Sequence, residues 1–313
     1  MANAATPPVG RIAEVMVDLL VAVLLGVVQG LFMFVPVSST SHLVLVQTWL
    51  ADRGAEVPPP ESQEMVLFDL VVHVGTLVSV VVVMGAGLRQ LGRGVHREIV
   101  TGRITTTWRK GFRGALATRL VMLGLVTTFV TGVLGLFLRD TLTETVFAST
   151  TAVAIALFGT GAMLWWTDAM TPERGGRWLR FGWAGPRDVS LIMAIAVGVA
   201  QAAALAPGLS RSGTTIFIAL LLGMGRKLAA RYSFYVAIPT ILAASAVQFV
   251  DVLGDGGLTV VSWTAMATGF VVAAVVGAGA LWVVLRLLEA ARFRIFAVYV
   301  WLLAVFVLVT GVS

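Results

Sequence analysis

The sequence predicts an all-α polytopic membrane protein: an inverted-topology repeat with about six spanning helices and two re-entrant helical hairpins. Three observations carry that prediction. The 313 residues are 58% hydrophobic and only 12% charged, with a mean hydropathy of +0.95. That is more apolar surface than a soluble core of this size buries. Long apolar runs alternate with clusters of basic residues. Two shorter apolar runs each follow a proline-broken, hydroxyl-rich stretch, and the two stretches share one order of features.

The apolar segments run approximately Val17–Val35, Leu43–Leu50, Met65–Leu88, Ala117–Leu138, Val146–Trp166, Val189–Leu205, Thr215–Gly225, Tyr232–Leu253, Val261–Leu285 and Ile295–Val312. Several reach the roughly 20 residues that a spanning helix needs. Leu43–Leu50 and Thr215–Gly225 are too short to span alone, and each reads as the return arm of a hairpin that enters and leaves by one face. The whole chain, 1–313, reads as a single transmembrane domain. Repeat one covers about 14–140 and repeat two about 146–313. With 33 glycines and no short period, the glycine content points to close helix packing. Absence of cysteine excludes disulfides and thiolate metal sites.

Basic residues set the expected orientation. Between Leu88 and Leu120 stand Arg89, Arg93, Arg97, Arg103, Arg109, Lys110, Arg113 and Arg119, against the single acid Glu98. Such a segment belongs on the cytoplasmic side. Counting outward from it, Arg174/Arg177/Arg180/Arg187, Arg226/Lys227/Arg231 and Arg286/Arg292/Arg294 also fall inside, provided both short segments are re-entrant. Arg11, Arg53 and Arg139 then lie outside, as do both termini. Topology is sufficient reason for this basic surface, so nucleic acid is not expected as a partner.

The chain is organised around Ala206-Pro-Gly-Leu-Ser-Arg-Ser-Gly-Thr-Thr215, set between apolar runs. A guanidinium at membrane depth costs about 2.5–3.5 kcal/mol on insertion scales, so Arg211 needs a partner or a wet cavity. Proline and glycine break the helix and free backbone N–H groups that lipid cannot satisfy. Hydroxyls, free N–H donors and a fork of guanidinium donors together favour an oxygen-rich anion, phosphate above all. The plain alternative is a kink whose arginine pairs with a structural carboxylate.

A second copy of the pattern strengthens the anion reading. Gly26-Val-Val-Gln29 leads to Pro36-Val-Ser-Ser-Thr-Ser-His42, as Gly198-Val-Ala-Gln201 leads to Pro207-Gly-Leu-Ser-Arg-Ser-Gly213. Each is followed by a short apolar helix, a polar loop and a long apolar helix carrying Phe68 or Phe234. Under the charge assignment the first hairpin opens outside and the second inside. An inverted repeat of this kind brings two broken helices together near the midplane, their N-termini facing one shared anion. Ser38–His42 is therefore expected beside Ser210–Thr214.

These stretches, with Phe68-Asp-Leu-Val-Val-His-Val-Gly-Thr76 and Arg226-Lys227 before Ser233-Phe234, resemble the undecaprenyl pyrophosphate phosphatase family of the bacitracin-resistance type. The resemblance spans most of the chain in the expected order. It implies a multi-pass protein of the bacterial plasma membrane whose active-site pocket faces the outer side. It also implies hydrolysis of undecaprenyl pyrophosphate to undecaprenyl phosphate for cell-wall precursor synthesis, with a divalent cation, Mg²⁺ or Ca²⁺. By motif match, Ser39 and His42 carry the nucleophile and acid–base roles, and Arg211, Ser210 and Ser212 hold the pyrophosphate. Gln29, Ser38, Thr40, Gly208, Gly213 and Thr214 complete the substrate-binding set. If Ser39 caps a helix, His42 falls in its first turn and both approach one phosphate. Capping and packing are the plain alternatives for Ser38, Ser39, Ser41 and His42, and His73 reads equally as packing or pocket.

The sequence departs from the family pattern at three places. Met33 stands where a glutamate is expected four residues after Gln29, and a thioether does not bind a hard cation. Ser41 replaces a common glycine, and Arg231 stands where an acid is common. Asp69 is the carboxylate that remains as a possible metal ligand. Two functions follow: an active lipid pyrophosphatase, or a catalytically weak or inactive homologue that binds or flips undecaprenyl phosphate.

Overall fold

The computed structural model describes residues 9–55, 57–59, 62–103, 115–141, 149–170, 187–254, 261–290 and 292–311. Among them are ten helices and no strand: α1 Val9–Phe34, α2 Ser39–Asp52, α3 Gln63–Val100, α4 Leu116–Thr141, α5 Thr150–Ala169, α6 Leu191–Ala203, α7 Arg211–Leu221, α8 Arg226–Gly254, α9 Trp263–Glu289 and α10 Arg294–Thr310. The chain is a multi-pass membrane protein. Five helices are long and apolar enough to cross: α3, α4 over Leu116–Leu138, α5, α8 over Arg226–Val250, and α9. Their outward faces are apolar, with Phe137 80% exposed and Val275 70%. The expectations placed on Arg109, Lys110, Arg113, Arg174, Arg177 and Arg180 fall outside the described residues.

Two breaks shape the interior. After Phe34 the chain turns through Pro36 and Val37, and Ser38 adopts a left-handed conformation, φ 68° and ψ 87°, before α2 begins at Ser39. After Ala203 it turns again through Pro207 and Gly208, and α7 begins at Arg211. Gly208 is required there. Its φ is +88°, and a Cβ would run into the Val153 carbonyl oxygen on α5. Ser210 caps α7 by accepting a hydrogen bond from Gly213 N at 3.2 Å.

The helix bounds depart from the apolar runs in one instructive case. Apolar character ends near Leu88, yet α3 continues to Val100. Arg89, Gln90, Leu91 and Arg93 are good helix formers, no proline intervenes, and the helix carries Gly92 and Gly94 through to Thr101-Gly102, where Gly102 has φ +64°. The extension lets the Glu98 carboxylate accept hydrogen bonds from Ala117 N and Thr118 N, capping α4.

Packing distributes the long helices around the two breaks. α1 lies along α9 and α3 packs on α9; α6 lies along α4, α8 packs on α4, and α5 pairs with α10. The α1–α9 approach is close because both sides are glycine: a Cβ at Gly26 would sit 2.8 Å from the Gly269 carbonyl oxygen. Asp168 ties the ends of α5, α8 and α10. It accepts from Arg294 N at 2.9 Å and lies 3.9 Å from Arg226.

Candidate active site

The two breaks meet. Gly208 N donates to Ser41 Oγ at 3.1 Å, and Ser41 Oγ lies 3.0 Å from Ser38 Oγ. A Cβ on Gly213 would lie 3.4 Å from Cβ of Pro36. Ser38–His42 and Ser210–Thr214 are thus neighbours, as the repeated pattern predicts. Ser41, which looked like a departure, is the link between them. Thr160 on α5 supports the second break, donating to Gly208 O at 2.9 Å and accepting from Ser210 N at 3.1 Å.

One local expectation needs correction. Ser38, not Ser39, is the N-cap residue of α2, and its side chain makes no capping bond. Ser39 is the first helical residue and Thr40 the second; both are half-buried. The first intrahelical-type bond runs from His42 N to Ser38 O, so the N–H groups of Ser39, Thr40 and Ser41 precede it. His42 still lies in the first turn: with Ser38 at the N-cap, α2 starts one residue earlier than the capping reading assumed.

Arg211 opens α7 and points toward α1. Its Nη2 lies 3.2 Å from Met33 Sδ, and Gln29 Nε2 donates to the same sulfur at 3.4 Å. Among the described residues Arg211 has no carboxylate partner. Nothing among the described residues, then, supports the kink-plus-carboxylate alternative for this arginine. A guanidinium has five donors and a thioether is a weak acceptor, so most of its hydrogen-bonding capacity is unmet. Among the described residues, Gln29 Oε1 and Thr214 Oγ1 are buried without a partner. Ser210 Oγ and Ser212 Oγ stand 3.4 Å apart. The N–H of Gly208 is held by Ser41 and that of Gly213 by Ser210, so these two glycines shape the loop with their donors already occupied.

His42 is buried and held on both nitrogens. Nδ1 lies 2.7 Å from Ser38 O and Nε2 lies 2.7 Å from the Tyr299 hydroxyl. Phe32 stacks on the ring, centroids 3.9 Å apart and planes 21° apart. Tyr299, Phe32 and Thr160 were not visible as site residues in the sequence. Phe32 neighbours Met33 but carries no polar atom, and Thr160 and Tyr299 arrive on α5 and α10 without a local motif.

Asp69 and His73 occupy successive turns of α3. Gln47 Nε2 on α2 donates to Asp69 Oδ1 at 3.0 Å, and His73 Nδ1 lies 2.6 Å from Asp69 O. The donor set does not fit a protein-held divalent cation. Among the described residues no three Asp, Glu or His side chains are grouped to hold a metal. The position facing Arg211 is a sulfur already contacted by two N–H donors.

The fold and the site define a class: a polytopic helical membrane protein in which two broken helices assemble a buried hydroxyl, histidine and arginine site. Residues 22–306 match the family model described as bacitracin resistance protein BacA, and the chain belongs to that family. It is 47% identical to the undecaprenyl-diphosphatase of Halorhodospira halophila, over 92% of this chain and 96% of the relative. It is 46% identical to the undecaprenyl-diphosphatase of Alkalilimnicola ehrlichii, over 91% and 93%. A more distant undecaprenyl-diphosphatase, from Methanosphaera stadtmanae, is 30% identical over 95% and 99%.

Proposed function

We propose that this protein is an integral-membrane phosphatase that hydrolyses undecaprenyl pyrophosphate to undecaprenyl phosphate and inorganic phosphate, recycling a lipid carrier for cell-wall synthesis. The observation that carries the reading is Arg211: a membrane-embedded guanidinium whose partner among the described residues is a sulfur atom. A pyrophosphate supplies the charge and the oxygens that the protein withholds. The family match and the names of the relatives point to the same substrate.

In this reading Arg211, the hydroxyls of Ser38, Thr40, Ser210, Ser212 and Thr214, and the amide of Gln29 bind the two phosphates. The first N–H groups of α2 and α7 add donors and positive dipole ends. Ser39 and His42 carry the nucleophile and acid–base roles. The bond that breaks is the anhydride P–O bond; undecaprenyl phosphate leaves, and water completes phosphate release. Phosphoryl transfer needs charge neutralisation and alignment above all, and these groups supply both. If Mg²⁺ or Ca²⁺ takes part, Asp69 would be the carboxylate this chain offers to hold it, and the cation would add charge neutralisation to that of Arg211.

The finer architecture belongs to the same proposal. Six helices span, α1–α2 and α6–α7 form re-entrant hairpins, and the pocket opens to the outer face of the bacterial plasma membrane. Supporting the inverted repeat is an exchange of partners: α1 packs on α9 as α6 packs on α4, and α3 packs on α9 as α8 packs on α4.

The test is phosphate release from undecaprenyl pyrophosphate by purified protein, with and without divalent cation. The wild type releases phosphate, and Arg211→Ala lowers kcat/KM by about a hundredfold or more, the scale of losing one preorganised donor. No release with retained undecaprenyl phosphate binding would replace this reading with the second one, a binder or flippase, which the thioether at Met33 favours.

A further inference from the structure

The hydrogen bonds around His42 fix more than its position. Ser38 O is a carbonyl oxygen and can only accept, so the 2.7 Å contact requires the proton on Nδ1. In the neutral ring Nε2 then carries the lone pair, and the Tyr299 hydroxyl 2.7 Å away donates to it. Phe32 fixes the remaining freedom by stacking on the imidazole, with its own plane only 9° from that of Tyr299. His42 is 6% exposed, so water does not compete freely for these bonds.

Tyr299 reaches this place from the opposite end of the chain, 257 residues away. It lies on α10, which packs chiefly on α5, and α5 carries Thr160 beneath the second break. The hydroxyl is therefore set by a helix pair that also supports the Arg211 loop. Tyr299 belongs to neither motif.

We propose that Tyr299 is the positioning residue for His42: its hydroxyl holds the imidazole in the orientation and tautomer in which Nε2 is the proton-accepting nitrogen. At turnover the Tyr299 hydroxyl gives way and Nε2 takes the proton of the attacking hydroxyl, making an imidazolium whose Nδ1–H stays on the Ser38 carbonyl. The proton on Nε2 then passes to the departing phosphate oxygen, which restores the neutral ring. The inference rests on reading His42 as a group that acts in hydrolysis, and its geometric half stands independently of turnover.

The chain has three histidines, which makes selective labelling decisive. In protein labelled with ¹⁵N-histidine and held above the His42 titration, the His42 signals, assigned with His73→Gln and His96→Gln, report a protonated Nδ1 and an unprotonated, hydrogen-bonded Nε2. In Tyr299→Phe the unprotonated nitrogen moves toward the position of a free lone pair. The same variant loses about tenfold in kcat, the scale of one hydrogen bond, with KM changed by less than about threefold. Tyr299→Leu, which also removes the ring, falls at least as far. A protonated Nε2 in the wild type overturns the proposal without any variant. So does a Tyr299→Phe enzyme with wild-type kcat beside an impaired Tyr299→Leu, because Tyr299 would then be a packing residue. Full activity in His42→Ala would instead sink the catalytic reading of His42, leaving the tautomer measurement to stand or fall on its own.

Discussion

Met33 sits at the contact where both halves of the site touch: Gln29 of the first half and Arg211 of the second each direct an N–H at its sulfur. A glutamate there would pair with Arg211 permanently and compete with phosphate for the fork. The thioether leaves the guanidinium available, which shifts charge neutralisation onto Arg211 itself. Met33→Glu is therefore predicted to raise KM about tenfold in the absence of divalent cation, as the new ion pair competes with substrate. Added Mg²⁺ should restore it by occupying the new carboxylate. Steady-state kinetics with chelator and with Mg²⁺ check this, and an unchanged KM in chelator would show that the carboxylate does not engage Arg211. The residues legible in the sequence were those with intrinsic cost or chemistry in a membrane: Arg211, Ser39, His42 and the two prolines. Tyr299 and Thr160 were not legible, because a tyrosine or threonine on an apolar helix is unremarkable until packing brings it to a polar atom.

Each break does its work as an element, by stopping one helix and starting another in the membrane interior. The left-handed backbone at Ser38 is a strained position for a non-glycine residue, of the order of 1–3 kcal/mol. It is held by what surrounds it: the Ser38 carbonyl takes the His42 ring, and its hydroxyl meets Ser41, which in turn takes Gly208 N. Strain and site are thus the same feature. The sequence placed both breaks correctly because each joins a proline to a hydroxyl cluster; Pro239, which has no such cluster beside it, sits inside α8. Hydropathy marked only the apolar part of α3, up to Leu88, because it tracks the membrane boundary, whereas the helix itself runs on to Val100. If α1–α2 is re-entrant, α3 crosses between Asp52 and Thr101, both exposed. With no native cysteine, single substitutions give a clean readout. A membrane-impermeant maleimide applied to intact cells should label Asp52→Cys and spare Thr101→Cys. Labelling of Thr101→Cys alone would invert the orientation, and labelling of both would deny α3 its crossing.

At the scale of the whole molecule, five long apolar helices and the shorter ones around them have one evident purpose: to bring two short, broken pieces of chain to a common point. Neither piece is a site alone. The first offers hydroxyls and a histidine without a positive anchor; the second offers the anchor without an acid–base group. The shared point was inferable from the repeated order of glycine, glutamine, proline and hydroxyls, whereas the rings that enclose His42 depended on packing that no local pattern encodes. A double-mutant cycle on kcat/KM for undecaprenyl pyrophosphate tests this unity most directly, using His42→Ala and Arg211→Ala singly and together. Residues that act as a unit are strongly non-additive, so the double variant should fall no more than about tenfold below the worse single variant. Losses that simply multiply would mean that the two halves act independently, and would contradict a single site built from both.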